Sequence, residues 1–257
     1  MDDDEPLVGG MANPGAVFRR GDTVIRPAPP SVAALHPFLV ELRAAGFTGA
    51  PVPRGPVVDG REQLEFMPGD VPLFPEPAWA FAEPVLVSVG ALLRDFHAAA
   101  GQVTLDGGAP WSSELADPQG GPLLCHNDVC HENVVFADGT ARAIIDWDFA
   151  APGRPAWDLA MTAWYWVPMR PDDTGDGLDR FSRLRLLADA YGLDDRPGFM
   201  DVMEEAVGVC RTFVANRVAA GEQLFVESLA RHDGWPRWDR IQSWLATNHE
   251  RFTDAMS

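Results

Sequence analysis

The chain has 257 residues, 46% of them hydrophobic and 23% charged, which is a globular composition long enough for one large domain or two lobes and excludes a disordered or disulfide-stapled class. Acidic residues outnumber basic ones 38 to 20, a net charge of −18, so a nucleic-acid partner or an anionic membrane surface is disfavoured and a cationic ligand is favoured. All 20 basic residues are arginine; the absence of lysine excludes a Walker A phosphate loop, a Schiff-base lysine and the Ser-x-x-Lys acyl enzymes.

Residues 7 to 68 read as β-rich. Candidate strands are Leu7-Val8, Ala16 to Phe18, Thr23 to Arg26, Val57-Val58 and Gln63 to Phe66, separated by Gly, Asp and Pro clusters. One helix interrupts them, with Pro37 at its first position, Phe38, Leu39 and Leu42 on its apolar face and a stop at Gly46. The glycine-rich stretch Gly9 to Gly15 is either a backbone cradle for phosphate or a plain turn between strands. Four prolines between Met67 and Pro77 make that segment a connector. Helices dominate after it: Leu86, Val89, Leu93 and Phe96 recur at helical spacing behind Pro84, followed by stripes built on Leu184 and Leu187, on Met203, Val207 and Cys210, and on Trp238, Ile241, Leu245 and Phe252. The longest apolar stretch, Val85 to Leu93, is too short to span a bilayer. The acidic start of the chain carries no leader pattern, and three cysteines, an odd number, fit a reducing compartment, so a soluble cytoplasmic protein is expected.

One hairpin is predicted within the helical part, Val134 to Phe136 and Ala143 to Ile145 around Asp138-Gly139. A two-residue turn would set Asn133 opposite Ile144, with Asp146 one diagonal step away. Just before the hairpin runs Cys125-His126-Asn127-Asp128-Val129-Cys130-His131-Glu132-Asn133. The His-x-Asp-x-x-x-x-Asn spacing is that of a protein-kinase catalytic loop, and an acidic residue, Asp146, follows the hairpin where such enzymes carry a metal-binding Asp. The residue types suit phosphoryl transfer. A carboxylate, Asp128, orients the attacking hydroxyl and accepts its proton, while oxygen ligands on Asn133 and Asp146 hold Mg²⁺ against nucleotide phosphates.

The run from Leu123 to Ala160, with His126-Asn127-Asp128, Asn133, Ile145-Asp146-Trp147-Asp148, Gly153 and Asp158-Leu159-Ala160, resembles the aminoglycoside phosphotransferase and choline-kinase-like family, including its immunity-type subgroup. The resemblance implies an α+β, bilobal protein-kinase-like fold. Its small β-rich N-terminal lobe would occupy residues 1–70, with a hinge near 66–70, and a mainly helical catalytic lobe residues 71–257. It implies Asp128 as catalytic base, Asn133 and Asp146 as metal ligands, Asp158 as a brace for the catalytic loop, and Mg²⁺ with ATP or GTP as co-substrate. Gly21 to Arg26 resembles the family's third strand and Phe66-Met67-Pro68-Gly69 its hinge, so Arg26, Phe66 and Met67 are the nucleotide-binding candidates. Where the family carries a lysine and a helix glutamate, this chain has Arg26 and, in the best register, His36. Glu41 is the other candidate acid, and five helical residues turn it roughly 140° from His36, so one of the two should face away.

His126 reads as a structural hydrogen-bonding residue. His131 either touches substrate or is exposed, and Asp148 assists the metal, touches substrate or caps a turn. Trp164 belongs to a Trp cluster that either packs the core or faces a cationic substrate. The Cys125, His126, Cys130, His131 spacing fits no usual zinc site. Asp172 to Gly177 opens like a calcium loop but has Arg183 at position twelve, so it reads as an acidic turn. The activity expected is transfer of the γ-phosphoryl of a nucleotide to a hydroxyl of an aminoglycoside-like or other natural product, with no nucleic-acid or membrane partner. The alternatives are a non-catalytic or immunity-type binding protein on this fold, or a different reaction on the same scaffold.

Overall fold

The computed structural model describes residues 4–7, 15–171 and 176–257; Val8, Gly9 to Pro14 and Asp172 to Gly175, where a strand end, the phosphate cradle and the calcium-like turn were weighed, lie outside the described residues. Four antiparallel strands form the first sheet in sequence order: β1 (Glu5–Pro6), β2 (Phe18–Arg20), β3 (Thr23–Pro27) and β4 (Arg61–Glu65). Arg26 lies directly opposite Glu62 in the β3–β4 register. Two candidate strands move. The second begins at Phe18, and Val57-Val58 contributes only a single bridge, Val58 to Arg61. The cause is Asp59-Gly60, whose φ angles of 51° and 71° make a tight hairpin turn that starts β4 two residues before the expected Gln63.

Helix α1 (Val32–Ala44) enters between β3 and β4 and begins five residues before Pro37. Leu35, Phe38, Leu39 and Leu42 are all buried, so the apolar stripe extends back through Leu35 and the helix follows it. Pro37 removes one intrahelical bond, whose would-be acceptor belongs to the exposed Ala33, and water can satisfy that carbonyl.

The segment after β4 runs to a 3₁₀ turn at Ala78–Phe81 and then to α2 (Glu83–Ala100). Asp70 exchanges two backbone hydrogen bonds of 2.8 Å with Phe136, which ties the connector to the hairpin. Gly69 is required there: its φ is +147°, and a Cβ would meet the Phe136 carbonyl oxygen at 2.3 Å. Short strands β5 (Leu123–Cys125) and β8 (Ala151–Gly153) pair and flank the hairpin β6 (Val134–Ala137) and β7 (Thr140–Ile144). The Asp138-Gly139 turn forms as expected, but a bulge between Val135 and Phe136 shifts the register, pairing Val134 with Ile144. Asn133 therefore faces Ile145, whose N–H donates to its carbonyl at 2.9 Å, rather than Ile144. Asp146 is then the next residue along, still at the open base of the hairpin.

Helices α3 (Pro155–Trp166), α4 (Arg180–Tyr191), α5 (Phe199–Ala219), α6 (Gln223–Arg231) and α7 (Gly234–Met256) complete the chain. The stripes on α2, α4, α5 and α7 are buried in one apolar core that also takes in α1. Phe38 of α1 and Phe96 of α2 both contact the ring of Trp147, so the core reaches directly beneath the turn that carries Asp146. The fold is the expected protein-kinase-like one, a small antiparallel sheet with one helix followed by a mainly helical lobe. Among the described residues no helix is long and apolar enough to cross a membrane.

Candidate active site

The loop from Cys125 to Asn133 is held from below by α3. Asp158, fully buried, accepts the backbone N–H groups of His126 and Asn127 at 2.8 Å each and a third hydrogen bond from His97 Nε2 at 3.0 Å. Burial opposes its ionisation, but these hydrogen bonds and the neighbouring histidines outweigh burial and hold the carboxyl below its ordinary range. Asn127 adopts φ +66°, a conformation asparagine tolerates better than most residues, and its amide donates to the Phe149 carbonyl at 2.9 Å. His126 is buried; its Nε2 bonds the Ile145 carbonyl at 3.0 Å and its Nδ1 accepts the Asp128 N–H at 3.3 Å. Burial depresses its pKa, so the neutral ring carries its proton on Nε2 and links the loop to the residue before Asp146.

That network presents Asp128. Its Oδ1 accepts from the Tyr165 hydroxyl at 3.0 Å and its Oδ2 from Asn133 Nδ2 at 3.0 Å. Burial, helped by the negative charge of Asp146, pushes its pKa up to about 8, against the pull of those two donors. Asn133 is buried, and with its amide nitrogen shared between the carbonyl and the carboxylate of Asp128, its oxygen is the atom left for a cation. Asp146, at φ +63°, stands at the hairpin base as the sequence implied.

Arg26 is buried, 6% exposed. Its guanidinium reaches three carboxylates: Nε to Glu62 at 2.7 Å, one terminal nitrogen to Asp146 at 2.7 Å and the other to Asp148 at 2.5 Å. Burial works against its charge, yet the three acids hold its pKa above the ordinary arginine value. Asp148, pushed up to about 6 by burial against the pull of Arg26, is held by the Arg26 guanidinium. The acid partner of the arginine is neither residue weighed on α1. Glu41 is exposed, and His36 points instead at Glu62, Nε2 to Oε2 at 2.7 Å. Glu62 has no exposure at all.

The remaining candidates are placed differently. His131 is buried, contrary to an exposed position, against Trp166 and Phe81, with Nδ1 3.6 Å from Glu76. Burial and the charges of Arg170 and Arg183 push its pKa down to about 4. Trp164 is half-buried and stacks on Trp238, ring centroids 5.6 Å apart, which fastens α3 to α7. Phe66 and Met67 lie half-buried after β4, with the Arg19 guanidinium 3.8 Å over the Phe66 ring. The clustered cysteines and histidines of the loop do not converge; His97, Cys125 and Asp158 do come together, but Asp158 and the His97 ring are engaged in hydrogen bonds with His126, Asn127 and Tyr191.

Glu62 and Tyr165 are the site residues that sequence reasoning missed. Glu62 carried a signal, since it alternates in phase with buried Leu64 along β4 and a buried strand glutamate needs a cationic partner. Tyr165 lies seven residues after Asp158, two turns along the same face of α3. Taken together, the loop offers a hydrogen-bonded carboxylate for a proton, an all-oxygen donor group and a buried guanidinium beside it.

A family model described as phosphotransferase enzyme family matches residues 108–191, which include every catalytic-loop residue described above. The trifolitoxin immunity protein of Rhizobium leguminosarum bv. trifolii is 28% identical over 274 residues, covering 100% of both chains. Among solved structures, a choline/ethanolamine kinase family protein from Mesorhizobium loti superposes with a TM-score of 0.65 at 19% identity, covering 99% of this chain and 92% of that one. An aminoglycoside phosphotransferase from Streptomyces rimosus, solved with ADP and streptomycin, gives 0.55 at 16% identity over 82% and 92% of the two chains. A macrolide 2′-phosphotransferase from Brachybacterium faecium gives 0.55 at 17% identity over 88% and 89%. The resemblance carried by residues 123–160 is thus matched by the family model, and the chain has the protein-kinase-like fold of the aminoglycoside phosphotransferases and choline kinases.

Proposed function

We propose that this protein is a small-molecule kinase of the cytoplasm that transfers the γ-phosphoryl of ATP or GTP to a hydroxyl of a natural product, with a cationic, aminoglycoside-like acceptor favoured by the net charge of −18. The observation that carries this reading is Asp128, whose two oxygens are fixed by Tyr165 and Asn133 beside Asp146. In the step, the acceptor oxygen forms a bond to the γ-phosphorus and the bond from that phosphorus to the bridging oxygen breaks. The hydroxyl proton passes to Asp128, and the nucleoside diphosphate leaves. Asn133 Oδ1 and the carboxylates of Asp146 and Asp148 are hard oxygen donors that fit Mg²⁺. When bound there, the ion would neutralise charge on the nucleotide phosphates. Arg26 supplies the charge-assisted phosphate contact for which the family uses lysine, and Phe66 and Met67 would border the base at the hinge. His126 and Asp158 keep the loop in place.

A second reading, an immunity-type protein that binds without turning over, is favoured by the full-length similarity to the trifolitoxin immunity protein and by the engagement of Arg26 with Asp146 and Asp148. Radiolabelled ATP and GTP with a panel of aminoglycosides and macrolides separate the two. Transfer should occur with Mg²⁺ and fall about 10²- to 10⁴-fold in Asp128→Asn while nucleotide affinity and thermal stability are kept. Undiminished transfer by Asp128→Asn, or no stabilisation of the parent by Mg-nucleotide, would overturn the kinase reading.

A further inference from the structure

We propose that Arg26 is an internal counter-cation that locks the metal-binding carboxylates, so that a divalent ion is taken up only together with nucleotide, whose phosphates draw the guanidinium away. This rests on the reading of Asp146 as a metal ligand. The geometry is specific to arginine. Glu62, without exposure and gripped on its other oxygen by His36 at 2.7 Å, anchors Nε from behind. The two terminal nitrogens then point forward as a fork, one on Asp146 and one on Asp148. A guanidinium has no lone pair to offer a metal, so a cation arriving alone must both displace it and overcome its positive charge. A phosphate, by contrast, presents oxygens that match the same fork bidentately. Asp146 and Asp148 keep 29% and 21% of their side-chain surface open, so the carboxylates are reachable once the fork has moved.

An ammonium at position 26 would hold its donors on one atom and could not span three diverging carboxylates in this way. The lock is therefore a property of the residue that distinguishes this site from the lysine-bearing pattern. It converts metal binding and nucleotide binding into a linked event, each favouring the other.

Binding of Mn²⁺ alone to the full chain, followed by the electron paramagnetic resonance signal of the free ion, tests the proposal. The nucleotide-free parent should bind Mn²⁺ at least tenfold more weakly than Arg26→Gln, and Arg26→Lys should show a smaller gain in the same direction. Because Arg26→Lys retains a positive charge among the three acids, it also serves if the glutamine variant fails to fold. The gain should vanish in the double variants carrying Asp146→Asn. Equal Mn²⁺ affinity in the parent and both variants, or a gain that survives Asp146→Asn, overturns the lock, while Mg²⁺-dependent transfer by the parent would still support the kinase reading. Absence of Mn²⁺ binding in all of them, with transfer also absent, overturns the lock and the kinase reading together.

Discussion

Replacing Asp158 by asparagine tests the foundation of the catalytic loop. The carboxylate accepts three hydrogen bonds in a fully buried position, two on Oδ2 from His126 N and His97 Nε2 and one on Oδ1 from Asn127 N. An amide has one acceptor oxygen. Its best placement puts that oxygen where Oδ2 stands and turns the NH₂ group toward the Asn127 N–H, so a buried donor faces a donor. Leaving that N–H unsatisfied costs about 1–3 kcal/mol, and changing the two remaining bonds from charge-assisted to neutral removes about 1 kcal/mol each. The sum, about 3–5 kcal/mol, is a large share of the stability of an ordinary domain. Urea unfolding should show a loss of that size at neutral pH, and phosphoryl transfer should fall as well because Asp128 is carried on the loosened loop. The pH dependence has a definite sign. The Asp158 carboxyl is held below its ordinary range in the folded chain, so its contribution is present above the unfolded value near pH ~4 and is lost as pH falls through the folded value. Parent and variant should therefore converge in acid. A stability loss under about 1 kcal/mol at pH 7, or a difference that does not shrink below pH ~4, would refute the assignment of Asp158 as the brace.

Asn133→Ala and Asp146→Ala should each weaken Mg²⁺-dependent nucleotide binding, the second more, because it removes charge as well as an oxygen; nucleotide titrations at several Mg²⁺ concentrations read the order. Gly69→Ala should lower the unfolding midpoint by more than 1 kcal/mol equivalent, since its Cβ would collide with the Phe136 carbonyl oxygen at a backbone angle favouring glycine, an effect on the scale of about 1–3 kcal/mol; denaturant unfolding of the variant checks it.

The arrangement of the loop was legible because it is local. Asp128 and Asn133 are five residues apart, Asp146 follows one hairpin later, and the Asp138-Gly139 turn announces that hairpin. What stayed hidden depends on distant chain segments meeting. Glu62 reaches Arg26 only through strand pairing, and the Arg26 fork joins positions 120 and 122 residues further on. Helical periodicity placed the buried faces of α2, α5 and α7 correctly, yet Pro37 drew the start of α1 too late because the burial of Leu35 outweighed the helix-initiating preference of proline. The bulge at Val135 and Phe136 left no trace in the residue pattern, since both pairings keep Asn133 and Asp146 at the same end.

The mutual backbone bonds between Asp70 and Phe136 bear on how the sheet and the helical part could move against each other. The last hydrogen bond to the sheet side is Phe66 N–H to the Asp22 carbonyl, and the first to the hairpin is at Asp70. Only Met67, Pro68 and Gly69 stand between these two anchors, and the proline ring fixes one of their few torsions. Opening is then expected to follow a narrow arc about a single pivot instead of a loose splaying of the two halves. Because one anchor is the β6–β7 hairpin itself, torque applied at that pivot is delivered to β6, the strand that directly follows Asn133.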